Sequence, residues 1–414
     1  MLEPLIVPSC SLKDIMDLLN HLESSSADTV LKCVDMHVTG EPARILYAGF
    51  PPPRPGTTLL EQRRQAEAEF DHIRRRMLLE PRGHRDMYGA ILRPETELVR
   101  SGEAHMGVLF CHNNGYSSMC GHATIALGRF LVDTHDDAVF PARARLGFDA
   151  LTCTTTLLLH APGGLVTLVV PVTPDGRYAD TSRPVSFVSM PAYPLAMDVI
   201  IPIAPEARWP GLDGRGEVPV NFCYGGSYSI VVDSRALGFE RGLRGVDLDR
   251  VQHRAEVLKR AIAVMGKETL TEIGVPLAAQ CAYGIMVSDD TIGIAKDGSE
   301  GAEAGIFFFG DGQIDRSPTG SCVVARMALA HAKGLRTVGK RWTYDSIVSN
   351  SSSAGSFTAE VIEELSLEGL PNDVRKAVRV RVEGHASYIG FSTFVVDDND
   401  QIGSDGFLMH NLRF

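Results

Sequence analysis

The sequence has few of the features that would assign it to a specialised class. Its eight cysteines are scattered, and none forms a C-x-x-C pair or a zinc-type spacing. No run of about 18 apolar residues occurs, and the first residues lack the basic and apolar regions of a secretory signal. These absences exclude a disulfide scaffold, a zinc module and a transmembrane helix. We expect reduced cysteines in a cytoplasmic, intracellular protein.

An excess of basic residues is also absent. Lys and Arg number 40 against 51 Asp and Glu, which gives a net charge of −11. Such a field repels nucleic acid and anionic membrane surfaces, so neither is expected as a partner. The 414 residues are 44% hydrophobic and 22% charged, which is ordinary for a folded globular protein. This length predicts two or three domains.

Short β-branched and apolar runs bounded by turn residues predict a chain dominated by strands. Helical spacing over residues 57–79 and 248–265 predicts two surface helices. Residues 121–131 and 320–332 are apolar nearly all round, which predicts two buried helices. The Ser-rich stretch 346–355 reads as a solvated loop.

The two buried helices begin in similar ways. Met119-Cys120-Gly121-His122 opens one, and Pro318-Thr319-Gly320-Ser321 opens the other, so that Cys120 and Thr319 stand in equivalent registers 199 residues apart. This weak duplication suggests two similar domains, each presenting one helix N-terminus. We place the domains at residues 31–185 and 186–394, after an N-terminal appendage at 1–30. The end of the chain, from about 395 to 414, is expected to return to the first domain.

Cys120 is a candidate base or nucleophile. A thiol in the first turn of a helix lies at the positive end of the helix dipole, which favours the thiolate and lowers the thiol pKa. The alternative is a buried structural cysteine, since free cysteine often fills a core. At the second helix, the unpaired N–H groups of Gly320 and Ser321 are suited to bind a carboxylate. If the two helix starts converge, they clamp a small carboxylate between Cys120 and Thr319.

The chain resembles the proline racemase family. Four motifs and the C-terminal strands carry the resemblance, in order from about residue 31 to 409: residues 35–42 (DMHVTGEP), 81–87 (PRGHRDM), 119–122 (MCGH), 315–321 (DRSPTGS), 384–390 (GHASYIG) and 392–396 (STFVV). Racemases of this family place a cysteine at both helix starts, whereas this chain has Thr319 at the second. The replacement resembles the family's trans-3-hydroxy-L-proline dehydratases, which act in hydroxyproline catabolism.

This resemblance implies an α/β fold of the diaminopimelate epimerase type. Two pseudo-symmetric domains each wrap mixed strands round a central helix, and the active site lies between them. It further implies a small imino acid substrate, whose ring nitrogen is held by His122 and Asp315, and a homodimer. No metal or other cofactor is expected. Backbone N–H groups of Gly121, His122, Gly320 and Ser321 would stabilise charge on the substrate carboxylate.

The Cys/Thr pair favours elimination over racemisation. Racemisation needs an acid and a base on opposite faces, and a threonine hydroxyl is too weak for either role without an activating partner. In trans-3-hydroxy-L-proline the Cα hydrogen and the hydroxyl share a face, so loss of water is syn. We expect Cys120 to remove the Cα proton and to return it to the departing hydroxide.

Several readings stay open. A proline or hydroxyproline racemase or epimerase is the main alternative, followed by a catalytically silent binding protein and by a cysteine hydrolase. Glu41 is expected to shape an early turn, with substrate contact as the alternative. His112 is expected to hold the loop before the first helix, with assistance to hydroxide departure as the alternative.

Overall fold

The computed structural model describes residues 17, 20, 21, 30–212, 214–366, 377–396 and 399–409. Most of the proposed appendage at residues 1–30 therefore lies outside the described residues. No helix in the described ranges is long and apolar enough to cross a membrane. The α-helices with described bounds are α1 (Leu59–Glu69), α2 (Asp71–Leu78), α3 (Glu97–Ser101), α4 (Gly121–Asp133), α5 (Leu248–Glu272), α6 (Gly320–Ala332) and α7 (Ile347–Ser352).

Strands make up most of the remaining regular structure. They are β1 (Leu31–Val38), β2 (Glu41–Ala48), β3 (Tyr88–Arg93), β4 (Met106–His112), β5 (Gly115–Ser117), β6 (Phe148–Asp149), β7 (Thr154–Ala161), β8 (Gly164–Pro171), β9 (Val185–Val188), β10 (Tyr193–Pro202), β11 (Glu217–Tyr224), β12 (Tyr228–Asp233), β13 (Gly284–Asp289), β14 (Ala302–Phe309), β15 (Gln313–Asp315), β16 (Arg341–Asp345), β17 (Phe357–Leu365), β18 (Ala377–Gly384) and β19 (Ser387–Phe394). The described strands form one hydrogen-bonded network.

One order of strand pairing occurs twice. In the first half β2 and β3 pair in parallel, β3, β4 and β5 pair antiparallel, and β4 pairs in parallel with β7. In the second half β12 and β13 pair in parallel, β13, β14 and β15 pair antiparallel, and β14 pairs in parallel with β16. Helix α4 follows β5 and helix α6 follows β15, so in each half a buried helix begins directly after the corresponding hairpin.

The end of the chain joins the two halves. Strand β18 pairs with β9, and β19 pairs antiparallel with β1 at the start of the first half. These pairings hold the last described strands against the first ones. The domain limits at residues 185 and 394 stay a prediction.

Helices α4 and α6 form the centres of the two halves. Each is buried along nearly its whole length, because its residues are apolar or small on every side. Strands β1, β2, β8 and β9 contact α4, and strands β10, β17 and β18 contact α6. The fold therefore surrounds both helices with sheet and leaves their first turns to define the space between the halves.

Two glycines allow the helix starts to touch. A Cβ added to Gly121 would lie 2.5 Å from the Cα of Gly320, and a Cβ on Gly320 would lie 2.7 Å from the Cα of Gly121. Real Cβ atoms do not approach a backbone so closely, so any side chain there would push the helices apart. The predicted convergence of the two helix N-termini is therefore present.

Two predicted elements differ from the structure. The helix expected over residues 57–79 is two helices, α1 and α2, because Phe70 leaves helical geometry and packs edge-on against Phe50. The prediction of a loop at residues 346–355 was wrong, since this segment contains the short helix α7. The Ser346 hydroxyl caps that helix by accepting a hydrogen bond from the Ser349 N–H. The Ser349 hydroxyl in turn accepts a hydrogen bond from the Ser346 N–H.

Candidate active site

A small cavity lies where helices α4 and α6 begin. The seven residues that the sequence singles out all line it, from both helix starts and from the turn before α6. Six further residues complete the wall; the sequence analysis considered only Glu41 among them for substrate contact, and only as an alternative. The first set is Cys120, Gly121, His122, Asp315, Thr319, Gly320 and Ser321; the second is Glu41, Tyr88, Met119, Tyr283, Phe307 and Phe309.

Cys120 is the N-cap residue of α4, and its backbone is extended there. The residue is only 6% exposed. Its Sγ lies 3.3 Å from Nδ1 of His122 in the first helical turn. The ring of Tyr88 stands edge-on to His122, with ring centres 4.9 Å apart. The thiol is thus fixed at the cavity wall by aromatic neighbours.

The thiol pKa corrects one expectation from the sequence. The helix start predicts a lowered pKa, but burial raises the pKa of the Cys120 thiol well above its ordinary value. The Ala123 backbone N–H and the Tyr88 hydroxyl lower it, whereas the Asp315 and Glu41 carboxyls raise it further. The dipolar effect is present, but loss of hydration outweighs it.

Asp315 and Thr319 are joined by a hydrogen bond across the turn before α6. One oxygen of Asp315 accepts from the Ser317 N–H at 2.7 Å, and the other accepts from the Thr319 hydroxyl at 2.8 Å. Thr319 has φ of 63°, which is uncommon for a β-branched residue. The turn therefore holds the threonine in an unfavourable backbone conformation at the helix start. Since its hydroxyl proton is directed to Asp315, Thr319 presents only hydroxyl lone pairs to other groups.

Glu41 is a carboxyl that the sequence analysis placed in a structural role. It begins β2, is fully buried, and lines the cavity. One carboxyl oxygen accepts from the Arg316 backbone N–H at 2.8 Å. Among the described residues its other oxygen, Oε1, has no hydrogen-bond partner. Substrate contact, the alternative reading of the sequence, is therefore the one that this geometry favours.

His112 lies outside the cavity wall. Burial, with Arg74 as a further cause, lowers its pKa to about 4, so the imidazole is neutral near pH 7. Its Nδ1 accepts from the Asn114 backbone N–H at 3.2 Å. His112 therefore holds the loop, as the sequence predicts, and it carries no proton suited to hydroxide departure.

The described residues contain no group of three or more His, Cys, Asp and Glu side chains arranged to hold a metal ion. What the cavity does offer is one thiol, two carboxyls, two tyrosine hydroxyls and the first turns of two helices. Such a set can bind a small zwitterion and move protons beside it.

Comparison with known proteins gives independent evidence on the family of this chain. The proline racemase family model matches residues 33–408. A human trans-3-hydroxy-L-proline dehydratase is 38% identical over 383 residues, which cover 92% of this chain and 95% of that protein. A trans-3-hydroxy-L-proline dehydratase from Bacillus thuringiensis subsp. konkukian is 31% identical over 382 residues, covering 92% of this chain and 98% of that protein.

A solved structure shows a similar fold. A hydroxyproline epimerase from Agrobacterium vitis, with bound trans-4-hydroxy-L-proline, superposes with a TM-score of 0.71 at 20% identity. The match covers 92% of this chain and 96% of that chain. The predicted α/β fold is confirmed.

Proposed function

The chain belongs to the proline racemase family, and from that premise we propose that it dehydrates trans-3-hydroxy-L-proline to Δ1-pyrroline-2-carboxylate. This activity makes it a hydro-lyase. The observation that carries the proposal is the asymmetry of the cavity. Cys120 stands at one helix start, and Thr319, whose hydroxyl is hydrogen-bonded to Asp315, stands at the other. Only one helix start therefore carries a group able to abstract a Cα proton.

Cys120 is the proposed base. The thiolate removes the Cα hydrogen, and the electron pair expels the hydroxyl from Cβ on the same face. The resulting enamine tautomerises to Δ1-pyrroline-2-carboxylate. Burial raises the pKa of the free thiol, so a cationic ring nitrogen entering the cavity is expected to lower that pKa and favour the thiolate.

Substrate binding is assigned to both helix starts. The first N–H groups of α4 and α6, at Gly121, His122, Gly320 and Ser321, are proposed to hold the substrate carboxylate. Asp315 is proposed to pair with the ring nitrogen, beside His122. Burial lowers the pKa of His122, and its neutral imidazole can accept a hydrogen bond from an ammonium.

The test is incubation with trans-3-hydroxy-L-proline, the 4-hydroxyproline isomers and L-proline, with pyrroline formation and optical rotation followed together. We expect pyrroline from the 3-hydroxy substrate and no change of rotation with the others. Inversion at Cα of L-proline or a 4-hydroxyproline, without pyrroline formation from any substrate, would favour a racemase or epimerase instead.

The proposal includes a cytoplasmic homodimer. Free thiols at each of the cysteines with described side chains fit a reducing compartment. Ile389 and Phe391 of β19 are 62% and 73% exposed, and adjacent exposed apolar side chains are typical of interfaces. Light scattering coupled to size-exclusion chromatography should give about twice the chain mass of 44.9 kDa.

A further inference from the structure

Two polar atoms of the cavity wall lack a hydrogen-bond partner among the described residues. They are Oε1 of Glu41 and the hydroxyl of Tyr283, and both atoms are buried. A buried polar atom without a partner costs about 1–3 kcal/mol, so it commonly marks a position where a ligand completes the hydrogen bond. The departing hydroxide of the dehydratase reaction must be protonated, a role that the sequence analysis gave to Cys120 and for which these two groups are alternative donors.

Glu41 has the surroundings of a neutral carboxylic acid. Burial and the neighbouring Asp315 raise its pKa well above the ordinary value, and the Arg316 backbone N–H and guanidinium only partly offset this. Asp86 raises it further, and Glu41 itself raises the pKa of the Tyr283 hydroxyl. A carboxyl in this setting favours its protonated form and can give the proton to a stronger base.

Its position is also suitable. Glu41 is close enough to Cys120 for its charge to raise the thiol pKa. In trans-3-hydroxy-L-proline the hydroxyl and the Cα hydrogen share one face, so a hydroxyl whose Cα hydrogen faces Cys120 also points to the Cys120 side. The carboxyl is held in place because Oε2 accepts from the Arg316 N–H, and Oε1 remains available.

Other donors at the cavity are less suitable. Burial leaves His122 neutral, and the Tyr88 hydroxyl is already bonded to Ser117 Oγ at 2.5 Å. The Tyr283 hydroxyl is unpartnered, but burial raises its pKa well above 10. It is thus a far weaker acid than a carboxyl and is suited to orient the substrate by a hydrogen bond.

We propose that Glu41, as a carboxylic acid, protonates the departing 3-hydroxyl group. The inference rests on the proposed dehydratase function. The Cα–H bond breaks and its proton goes to the Cys120 sulfur; the C–O bond breaks and the hydroxide takes the Glu41 proton to become water. Transfer of a proton from the Cys120 thiol to the Glu41 carboxylate then restores the starting state. Atoms and charge balance without a co-reactant.

The test compares two leaving groups in the Glu41→Gln variant. Chloride leaves without protonation, so trans-3-chloro-L-proline gives the same pyrroline product without an acid. Glutamine keeps the size of the side chain and the acceptor for the Arg316 N–H. We expect kcat for the hydroxy substrate to fall about 100-fold or more, since general acids contribute 10²–10⁴-fold. We expect kcat for the chloro substrate to stay within about threefold of wild type.

Each result decides a separate point. Equal losses on both substrates would make Glu41 a positioning residue, and unchanged rates on both would remove it from the reaction; either overturns the inference. A full loss of the hydroxy reaction in Tyr283→Phe, with Glu41→Gln active, would assign the acid to Tyr283 instead. A wild-type protein that forms pyrroline from neither substrate contradicts the dehydratase function itself.

Wild-type pH profiles supply a second readout that needs no variant. The hydroxy substrate should lose rate at high pH as Glu41 deprotonates, and the chloro substrate should not. The pH at which this rate falls depends on the charged and titratable groups around Glu41, which are Asp315, Arg316, Asp86 and Cys120. Profiles that fall together at high pH would contradict the assignment.

Discussion

At the scale of single residues, the chemistry depends on which groups at the two helix starts can carry a proton. Cys120 at the start of α4 is the only cysteine among the described residues that line the cavity. The Thr319 hydroxyl donates to Asp315 and is a poor base. In the proposed reaction, this difference between two equivalent positions accounts for elimination in a fold that a hydroxyproline epimerase shares.

Replacing Cys120 with serine should stop dehydration and preserve binding. A serine hydroxyl is far too weak a base, so kcat should fall at least about 100-fold, the lower range for general base catalysis. The helix-start N–H groups and Asp315 are unchanged, so calorimetric titration with trans-3-hydroxy-L-proline should give a Kd within a few-fold of wild type. Cys153→Ser, at a partly exposed position outside the cavity, is the control and should be fully active. Near-normal turnover of Cys120→Ser would exclude Cys120 as the base.

Replacing Thr319 with cysteine should introduce a weak racemase activity. A thiol at the start of α6 would face the substrate from the side opposite Cys120. The gain should be small, because a group displaced by about 1 Å can lose on the order of a hundredfold in rate. Mass spectrometry should detect deuterium in D-proline formed from L-proline in D₂O. Thr319→Ser is the matched control and should form no D-proline; equal yields from both variants would contradict the role of the thiol.

The sequence identified some site residues and missed others for a physical reason. Local motifs next to apolar helices contain Cys120, Asp315 and Thr319, so their positions at the helix starts could be predicted from the sequence. Glu41 accepts a hydrogen bond from the Arg316 backbone, 275 positions away in the chain, and a contact between such distant segments cannot be predicted from a local motif. The sequence likewise could not give the raised pKa of Cys120, because hydration depends on the closed cavity.

At the scale of elements, helix type was predictable and helix boundaries were less so. The buried helices expected at 121–131 and 320–332 are α4 (Gly121–Asp133) and α6 (Gly320–Ala332). They could be predicted because a helix that is apolar on all sides must be buried in a folded protein. The short helix α7 was missed because its serine-rich sequence is also typical of loops.

Gly121→Ala should separate the two helix starts. Its Cβ would lie 2.5 Å from the Cα of Gly320, so one backbone must move. Displacement of the Cys120 thiol, the proposed base, by about 1 Å should lower kcat about 100-fold. The control is Gly147→Ala, whose Cβ would have no neighbour within 4 Å. Stopped assays of both variants with trans-3-hydroxy-L-proline should show the loss in Gly121→Ala alone; equal kcat values would contradict the steric argument.

At the scale of the whole molecule, a buried ion cluster ties α6 to the surrounding sheet. Glu303 of β14 pairs with Arg326 of α6 at 2.6 Å and also with Arg336. Burial alone would raise the pKa of Glu303, but the two guanidinium groups lower it. The cluster places the start of α6 relative to β14, which carries the cavity residues Phe307 and Phe309.

Glu303→Gln should destabilise the fold. Two buried arginines would lose their counter-charge, which costs about 3–5 kcal/mol in the free energy of unfolding. Urea denaturation should show this loss, and Glu300→Gln, which removes an exposed pair with Lys340, should cost less than about 1 kcal/mol. Because the folded pKa of Glu303 lies below the unfolded value of about 4.3, its contribution is complete above that pH and is lost as pH falls further. A Glu303→Gln protein as stable as wild type at pH 7 would contradict this role.

The family and the α/β fold were predictable from the sequence, and both are confirmed. Ordered motifs spread along the chain carry that information, because each marks a turn or helix start with strict requirements. The order of strand pairing could not be predicted from the sequence, since it is set by contacts between distant segments such as β1 and β19. The repeat of that order in both halves explains why Cys120 and Thr319 occupy equivalent positions.

The central claim is that one thiol facing one hydroxyl produces elimination without inversion. Wild-type protein incubated with trans-3-hydroxy-L-proline and, separately, with L-proline in D₂O tests it most directly, with products resolved by chiral chromatography and NMR. We expect Δ1-pyrroline-2-carboxylate from the first substrate, and from the second only L-proline, with any deuterium at Cα introduced with retention. Formation of D-proline at a rate comparable to pyrroline formation would contradict the claim and make this protein a racemase.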